Sequence, residues 1–276
     1  MPLDLTHLLN IPEWCSARKE YPNKVKQAVW FDKFHTALYS IDGNTSVSYM
    51  KGKGYTYAEG TPIFYWFKLT QAGIFINHSY DTDEWKHYGS NCNIRKQLLE
   101  MTIDKWDNES DKFTLEPGYI LFPIQRMSAQ LKLIMQCIEW AKENKTRIVF
   151  RPHPYPSDTV THEYIWNKLK VNDYVCLSSE GTSDQVIRNC SALWTSNSGM
   201  GLQALLYNKP VAYFLKDYDH TYGPIATYCK SISDAALAKP IGIENVDKYL
   251  NWYYNEIVID LSVDDYIEKI RDRICE

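Results

Sequence analysis

Between Tyr119 and Leu215 the chain alternates short apolar runs with helical patterns at a nearly constant spacing. YILFPI (119–124), TRIVF (146–150), YVCLS (174–178), SALWTS (191–196) and PVAYFL (210–215) read as strands. Between them lie SAQLKLIMQCIEWAKEN (128–144), HEYIWNKLKV (162–171), SDQVIRNC (183–190) and GMGLQALLYN (199–208), which read as helices. The first helix puts Leu131, Ile134, Met135, Ile138 and Ala141 on one face. Successive strands joined by helices must run parallel, because only a crossover returns the chain to the same end of the sheet. A Rossmann-like α/β layer follows.

Such sheets bind ligands beyond the carboxyl ends of their strands. That selects four connections: QRMS after the first strand, RPHPYPSD after the second, SSEGTS after the third and TSNSGMG after the fourth. All four are polar.

Upstream the pattern is irregular and aromatic, with strand candidates at 27–32, 37–41, 62–69 and 73–79. The charged stretch 104–118 has no apolar period and reads as a connection. The expected organisation is a first lobe over 1–117 and a Rossmann-like lobe over 118–276, the last helix free to cross back. A chain of 276 residues is long enough to bury such cores.

The fourth connection carries the most chemistry. Thr195-Ser196-Asn197-Ser198-Gly199 ends a strand and opens a helix, so it can present N–H groups and hydroxyls to a phosphate. Gly199 and Gly201 would let an anion approach the backbone. An N-cap uses the same residue types with no ligand, and the sequence by itself leaves both readings open. In Arg151-Pro152-His153-Pro154 two prolines stiffen a segment whose His could assist a departing phosphate. Glu59, before Gly60 in a loop between aromatic runs, could deprotonate a hydroxyl. Gln125 and Arg126 could hydrogen-bond a nucleotide or an acceptor, or form an ordinary polar strand end.

Other features are bland. His78, the acidic run 81–84, and Asp217, Asp219 and His220 lack metal-ligand spacing, and no Walker motif occurs. Seven cysteines without a CxxC pair read as reduced thiols. No signal peptide or membrane-spanning run is read, so a soluble, cytoplasmic protein is expected. The net charge of −4 gives no overall footprint for nucleic acid. Residues 1–80 nevertheless hold eight Lys/Arg against six Asp/Glu, which leaves room for a locally basic face.

YILFPIQ (119–125), FRPHP (150–154) and SNSGMGLQALLYNKPVAYF (196–214) together resemble the C-terminal half of the capsule polysaccharide glycosyltransferases, the bacterial Kdo-transferase group related to bacterial sialyltransferases. The resemblance implies a GT-B-like fold, two Rossmann-like lobes around a cleft with a pared-down N-terminal lobe. It implies a CMP-activated donor, Kdo-like or a pentose, and neither cofactor nor metal. It makes Glu59 the acceptor-activating acid and His153 the group assisting phosphate departure. Gln125, Arg126, Arg151, Pro154, Ser196, Asn197, Ser198 and Gly199 become donor-binding residues. Ala58 stands where many relatives carry a second acid, which leaves the stereochemical course open.

The acceptor divides the readings. A glycan is favoured. The alternative is 5-hydroxymethylcytosine in DNA, in a phage enzyme acting in the host cytoplasm, since Lys53, Tyr55, Tyr57 and Trp66 could track phosphates and stack a base. A nucleotide-sugar 2-epimerase is a rival, weakened because GLQALL lacks the paired acids that such enzymes usually carry. A non-catalytic nucleotide-sugar binding module is the other.

Overall fold

The structure is a computed structural model that describes residues 33, 37, 40, 57–60, 66–70, 83–90, 93–100, 113–125, 127–154, 156–169, 171–215 and 222–275. They fall into two compact units. One takes 113–215 and 226–240; the other takes the described residues up to 100 together with 222–225 and 241–275.

The first unit is built on a parallel sheet. Its strands are β3 (Ile120–Pro123), β4 (Ile148–Arg151), β5 (Val175–Leu177), β6 (Ala192–Thr195), β7 (Val211–Tyr213) and β8 (Thr227–Tyr228), numbered after two strands of the second unit. The spatial order is β5-β4-β3-β6-β7-β8, every pair parallel. Counted from β3 this is the doubly wound order 3-2-1-4-5-6, whose direction reverses between β3 and β6. The protein is therefore α/β with a Rossmann-type layer.

Every residue of β3 and β4 is buried, as continuous apolar strands covered on both faces must be. Helix α2 (Met127–Asn144) lays its expected stripe on them: Leu131, Ile134, Ile138 and Ala141 are at most 4% exposed, and Met135 packs alongside. Each such aliphatic side chain contributes roughly 1.5–3 kcal/mol when fully buried, so packing outweighs helix propensity here. Phe122 meets Phe150 at 5.3 Å between ring centroids and Trp140 meets Trp194 at 5.0 Å. Helix α3 runs Pro156–Trp166, starting six residues before the expected 162–171. Pro156 occupies the first helical position, where its fixed φ and missing N–H are an advantage. The helices α4 (Ser183–Asn189) and α5 (Met200–Leu206) lie where the sequence pattern puts them. A capping box between Thr182 and Gln185 starts α4.

In the second unit β1 (Tyr57–Gly60) pairs antiparallel with β2 (Trp66–Thr70), which pairs antiparallel with β9 (Val258–Asp260). The helices are α1 (Asn93–Glu100), α7 (Ile243–Glu256) and α8 (Tyr266–Cys275); the short α6 (Ile232–Ala236) belongs to the first unit. Arg95 and Asp247 tie α1 to α7 at 2.6 Å, and Trp85 meets Tyr249 edge-on at 6.0 Å. Relative to the expected boundary at 117/118, residues 241–275 group with the N-terminal strands because β9 completes their sheet. The strand expected over 37–41 is a correction: Ala37 and Ser40 are helical, with the Ser40 hydroxyl donating to the Ala37 carbonyl at 2.7 Å. The candidates at 27–32 and 73–79 lie outside the described residues.

Candidate functional site

The carboxyl edge of the parallel sheet gathers the connections singled out in the sequence. Parallel register forces this: Pro123 pairs with Arg151 and Thr195 with Tyr213, so the ends of β3, β4, β6 and β7 lie on one rim.

At the reversal between β3 and β6 a buried glutamine joins the two connections. Gln130, on the first turns of α2, accepts the backbone N–H of Gln125 on Oε1 at 3.2 Å and donates from Nε2 to the Ser196 hydroxyl. Its side chain is 6% exposed. Sequence reasoning missed this residue; the available signal was a polar residue one position before the apolar stripe that begins at Leu131.

The corner after β6 is held from within. Thr195 Oγ1 accepts the Ser198 N–H at 2.9 Å, and Ser198 Oγ accepts the Met200 N–H at 3.3 Å. Ser196 and Ser198 are only 1% and 4% exposed. Asn197 is half-buried and Gly199 exposed, so these two carry the corner's outer surface. Gly199 is helical (φ −59°, ψ −16°), and a Cβ built on it meets no heavy atom within 4 Å. Neither backbone geometry nor packing calls for glycine there. The space above it is open.

After β4, Pro152 and Pro154 flank a half-buried His153 whose main chain is gripped on both sides. Its N–H donates to His162 Nδ1 at 3.3 Å, and its carbonyl accepts from Thr159 Oγ1 at 2.7 Å. An imidazole nitrogen that accepts an N–H is unprotonated, so buried His162 carries its hydrogen on Nε2. His162 and Thr159, both on α3, position this segment, and sequence reasoning did not find them.

Arg151, expected to touch the donor, is 5% exposed and serves the neighbouring connection. Its guanidinium donates to the carbonyls of Glu180 at 2.8 Å and Gly181 at 2.7 Å. Glu180 is itself held by Thr114, whose hydroxyl and N–H donate to the carboxylate at 2.7 and 3.0 Å. Those bonds favour the charged form and keep its pKa below the usual range. At Gly181 φ is +70° and a Cβ would lie 2.7 Å from the Phe113 ring, so glycine is required.

Glu59 lies on β1 opposite Lys68, in a strand and not in the loop expected, because β1 pairs with β2 along its whole length. For Tyr57, Glu59 and Trp66 the structure describes backbone position alone. Lys53, Tyr55, Arg126, His78, Asp217, Asp219 and His220 lie outside the described residues. Among the described residues no group of His, Cys, Asp and Glu could hold a metal ion, and no helix is long and apolar enough to cross a membrane.

What the geometry defines is a doubly wound α/β layer with polar connections tied together at its reversal point. Residues 123–218 of the chain match the family model for capsule polysaccharide biosynthesis proteins. That stretch starts at the end of β3, runs past β7, and holds His153 and the Ser196–Gly199 corner. It includes the latter two of the three segments on which the sequence resemblance rests. Among solved structures, the chain is similar to the beta Kdo 2,7 transferase of Thermosulfurimonas dismutans KpsC, with TM-score 0.47, 15% identity and coverage of 93% of this chain and 97% of that one. It is similar to the beta Kdo 2,4 transferase of the same KpsC, with TM-score 0.45, 15% identity and 71% of each chain covered. A UDP-GlcNAc 2-epimerase from Methanocaldococcus jannaschii is similar with TM-score 0.36 and 13% identity, over 73% of this chain and 51% of that one. No curated protein sequence matches the chain.

Proposed function

We propose that this protein transfers a sugar from a nucleotide donor to an acceptor hydroxyl, the donor being CMP-activated and the acceptor a glycan. The observation that carries the reading is the linkage, through Gln130, of the Gln125 connection to the Ser196 corner at the reversal point of the sheet, within the stretch matched by the capsule polysaccharide model.

The roles follow from the chemistry required. A glycosyl donor breaks its bond to phosphate, so negative charge grows on the leaving group and must meet fixed dipoles. The N–H groups and Asn197 amide at the outer corner suit that charge, with the hydroxyls of Ser196 and Ser198 behind them. His153, on a segment braced by two prolines and two hydrogen bonds, would donate a proton or hydrogen bond to the leaving phosphate. Arg151 holds the 180–181 connection in shape and would act on the donor through it. Glu59 would take the proton of the acceptor hydroxyl.

The test is incubation with CMP-sugars, with and without glycan acceptors, followed by mass spectrometry and quantification of released CMP. Acceptor-stimulated CMP release, lost in Glu59→Gln with donor binding retained, supports transfer. A C2-inverted sugar would mean an epimerase, an intact donor a binding module, and modification of hydroxymethylated DNA alone would replace the glycan by a base.

A further inference from the structure

A second recess opens on the same unit, at the outer margin of the sheet. It is open to solvent, has a volume of about 270 Å³ and is lined by Pro152, Glu163, Trp166, Asn167, Leu177 and Ser179. β5 is the edge strand and the reversal point lies two strands inward, so roughly 10 Å separates the two places at the usual strand spacing. The Ser196–Gly199 corner takes no part, although Pro152 directly precedes His153, so the recess borders the candidate site.

The lining states what would fit. Trp166 packs its ring on Phe150 at 5.4 Å between centroids, so it is a platform already fixed by the core. It is the one aromatic side chain among the lining residues, so a ring bound there can meet at most one aromatic partner. Glu163, in the last turn of α3, and Asn167, just past its end, are four residues apart and lie on the same side, the Asn167 N–H donating to the Glu163 carbonyl at 3.0 Å. Ser179 supplies a hydroxyl from the connection after β5. The carboxylate is the one formal charge in the lining, which disfavours phosphate or any other anion. Drug-sized pockets run from about 300 to 1,000 Å³, so this one takes a single ring and not a nucleotide-sugar. A ring with one apolar C–H face, hydroxyls round its rim and no charge is a neutral pyranose.

We propose that this recess is a subsite for one neutral sugar residue of a glycan, with the ring stacked on Trp166 and its hydroxyls held by Glu163, Asn167 and Ser179. A carboxylate and an amide together accept and donate across two vicinal hydroxyls. The free base of a nucleoside fits less well, because it gains most from stacking on both faces and finds one. This proposal does not need the transferase reading, since binding can be measured with no donor and no turnover.

Saturation-transfer NMR on the full chain, with lactose, cellobiose, N-acetyllactosamine and cytidine at millimolar concentration, tests it. Expected is transfer to the ring C–H protons of at least one saccharide, its affinity weakened about tenfold by Glu163→Ala and by Asn167→Ala. Both positions are solvent-exposed, so the variants keep the fold, and circular dichroism checks that. Trp166→Leu is avoided because the ring also packs in the core. Absence of transfer to every saccharide overturns the proposal. So does saccharide binding that is unchanged in both variants, or Glu163-dependent binding of cytidine in place of sugar. None of these outcomes bears on CMP release, so failure here and failure of the transferase reading remain distinguishable.

Discussion

Gln130 gives its amide hydrogen to Ser196, and the direction of that bond is fixed by a third group. The backbone N–H of Gln125 can only donate, so the Gln130 atom facing it must be Oε1. Nε2 then faces Ser196, whose oxygen accepts and whose own proton is left for another acceptor. That hydroxyl is 1% exposed and lies behind Asn197 and Gly199, so it would act on the proposed phosphate through the shape of the corner. Gln130→Glu keeps the acceptor for Gln125 but turns the second contact around, so that Ser196 donates into the carboxylate. Donor KM should rise about tenfold or more, and Tm should fall as well because a buried carboxylate has to be desolvated. Gln130→Ala leaves buried groups unsatisfied and should cost about 1–3 kcal/mol, read from denaturant unfolding.

His153→Ala separates catalysis from support. The two bonds that brace the segment use the main chain of His153, so they survive removal of the imidazole. Turnover should fall by roughly 10²–10⁴, the usual contribution of a general acid or base, while Tm holds. Wild-type turnover in this variant removes His153 from the mechanism. His162→Phe should lower both kcat and Tm, because the His153 N–H then loses its acceptor inside the protein.

How much of this was legible beforehand divides along a physical line. Strands β3 to β7 and helices α2, α4 and α5 follow from period and turn residues, since local pattern and burial agree there. The early start of α3 was also readable, from Pro156. The Gln130–Ser196 and Arg151–Glu180 contacts were not, because each joins residues whose proximity is set by strand order, 66 and 29 positions apart; the His162 contact spans only nine positions and depends on the turn that leads into α3. The pairing of β2 with β9 is longer-range still. The helical Ala37 and Ser40 show the opposite failure, a short apolar run whose length could not distinguish strand from helix.

Two glycines a short distance apart in sequence should respond in opposite ways. Gly181 has a positive φ and its Cβ would collide with Phe113, so Gly181→Ala should destabilise by about 1–3 kcal/mol. The carbonyl that Arg151 holds would shift with it. Gly199 is already helical with open space around its missing Cβ, so Gly199→Ala should leave Tm unchanged or stabilise by about 0.4–1 kcal/mol. Donor affinity should nevertheless fall, because the added methyl occupies the space through which an anion reaches the corner. Paired Tm and donor-titration measurements check both, and a Gly199→Ala variant with normal donor KM would detach this position from the site.

Alkaline pH should unfold the first unit through its buried acids. The Cys190 thiol donates to the Ile187 carbonyl at 3.2 Å, and burial pushes its pKa up to about 12. Burial also raises the Cys137 thiol and the Tyr119 phenol, whose hydroxyl donates to the Val186 carbonyl at 2.8 Å. An unfolded cysteine titrates near 8.5, so each thiol keeps its full contribution below that pH and loses it as the pH climbs toward the folded value. Tyr119 acts in the same direction above about 10. Tm should therefore decline from about pH 9 upward, and Cys190→Ala should make the slope between about pH 9 and 11 shallower by one proton. A slope unchanged in that variant would mean that the Cys190 thiol reaches solvent in the native protein, in which case Ellman's reagent should label it rapidly at pH about 8 without prior unfolding.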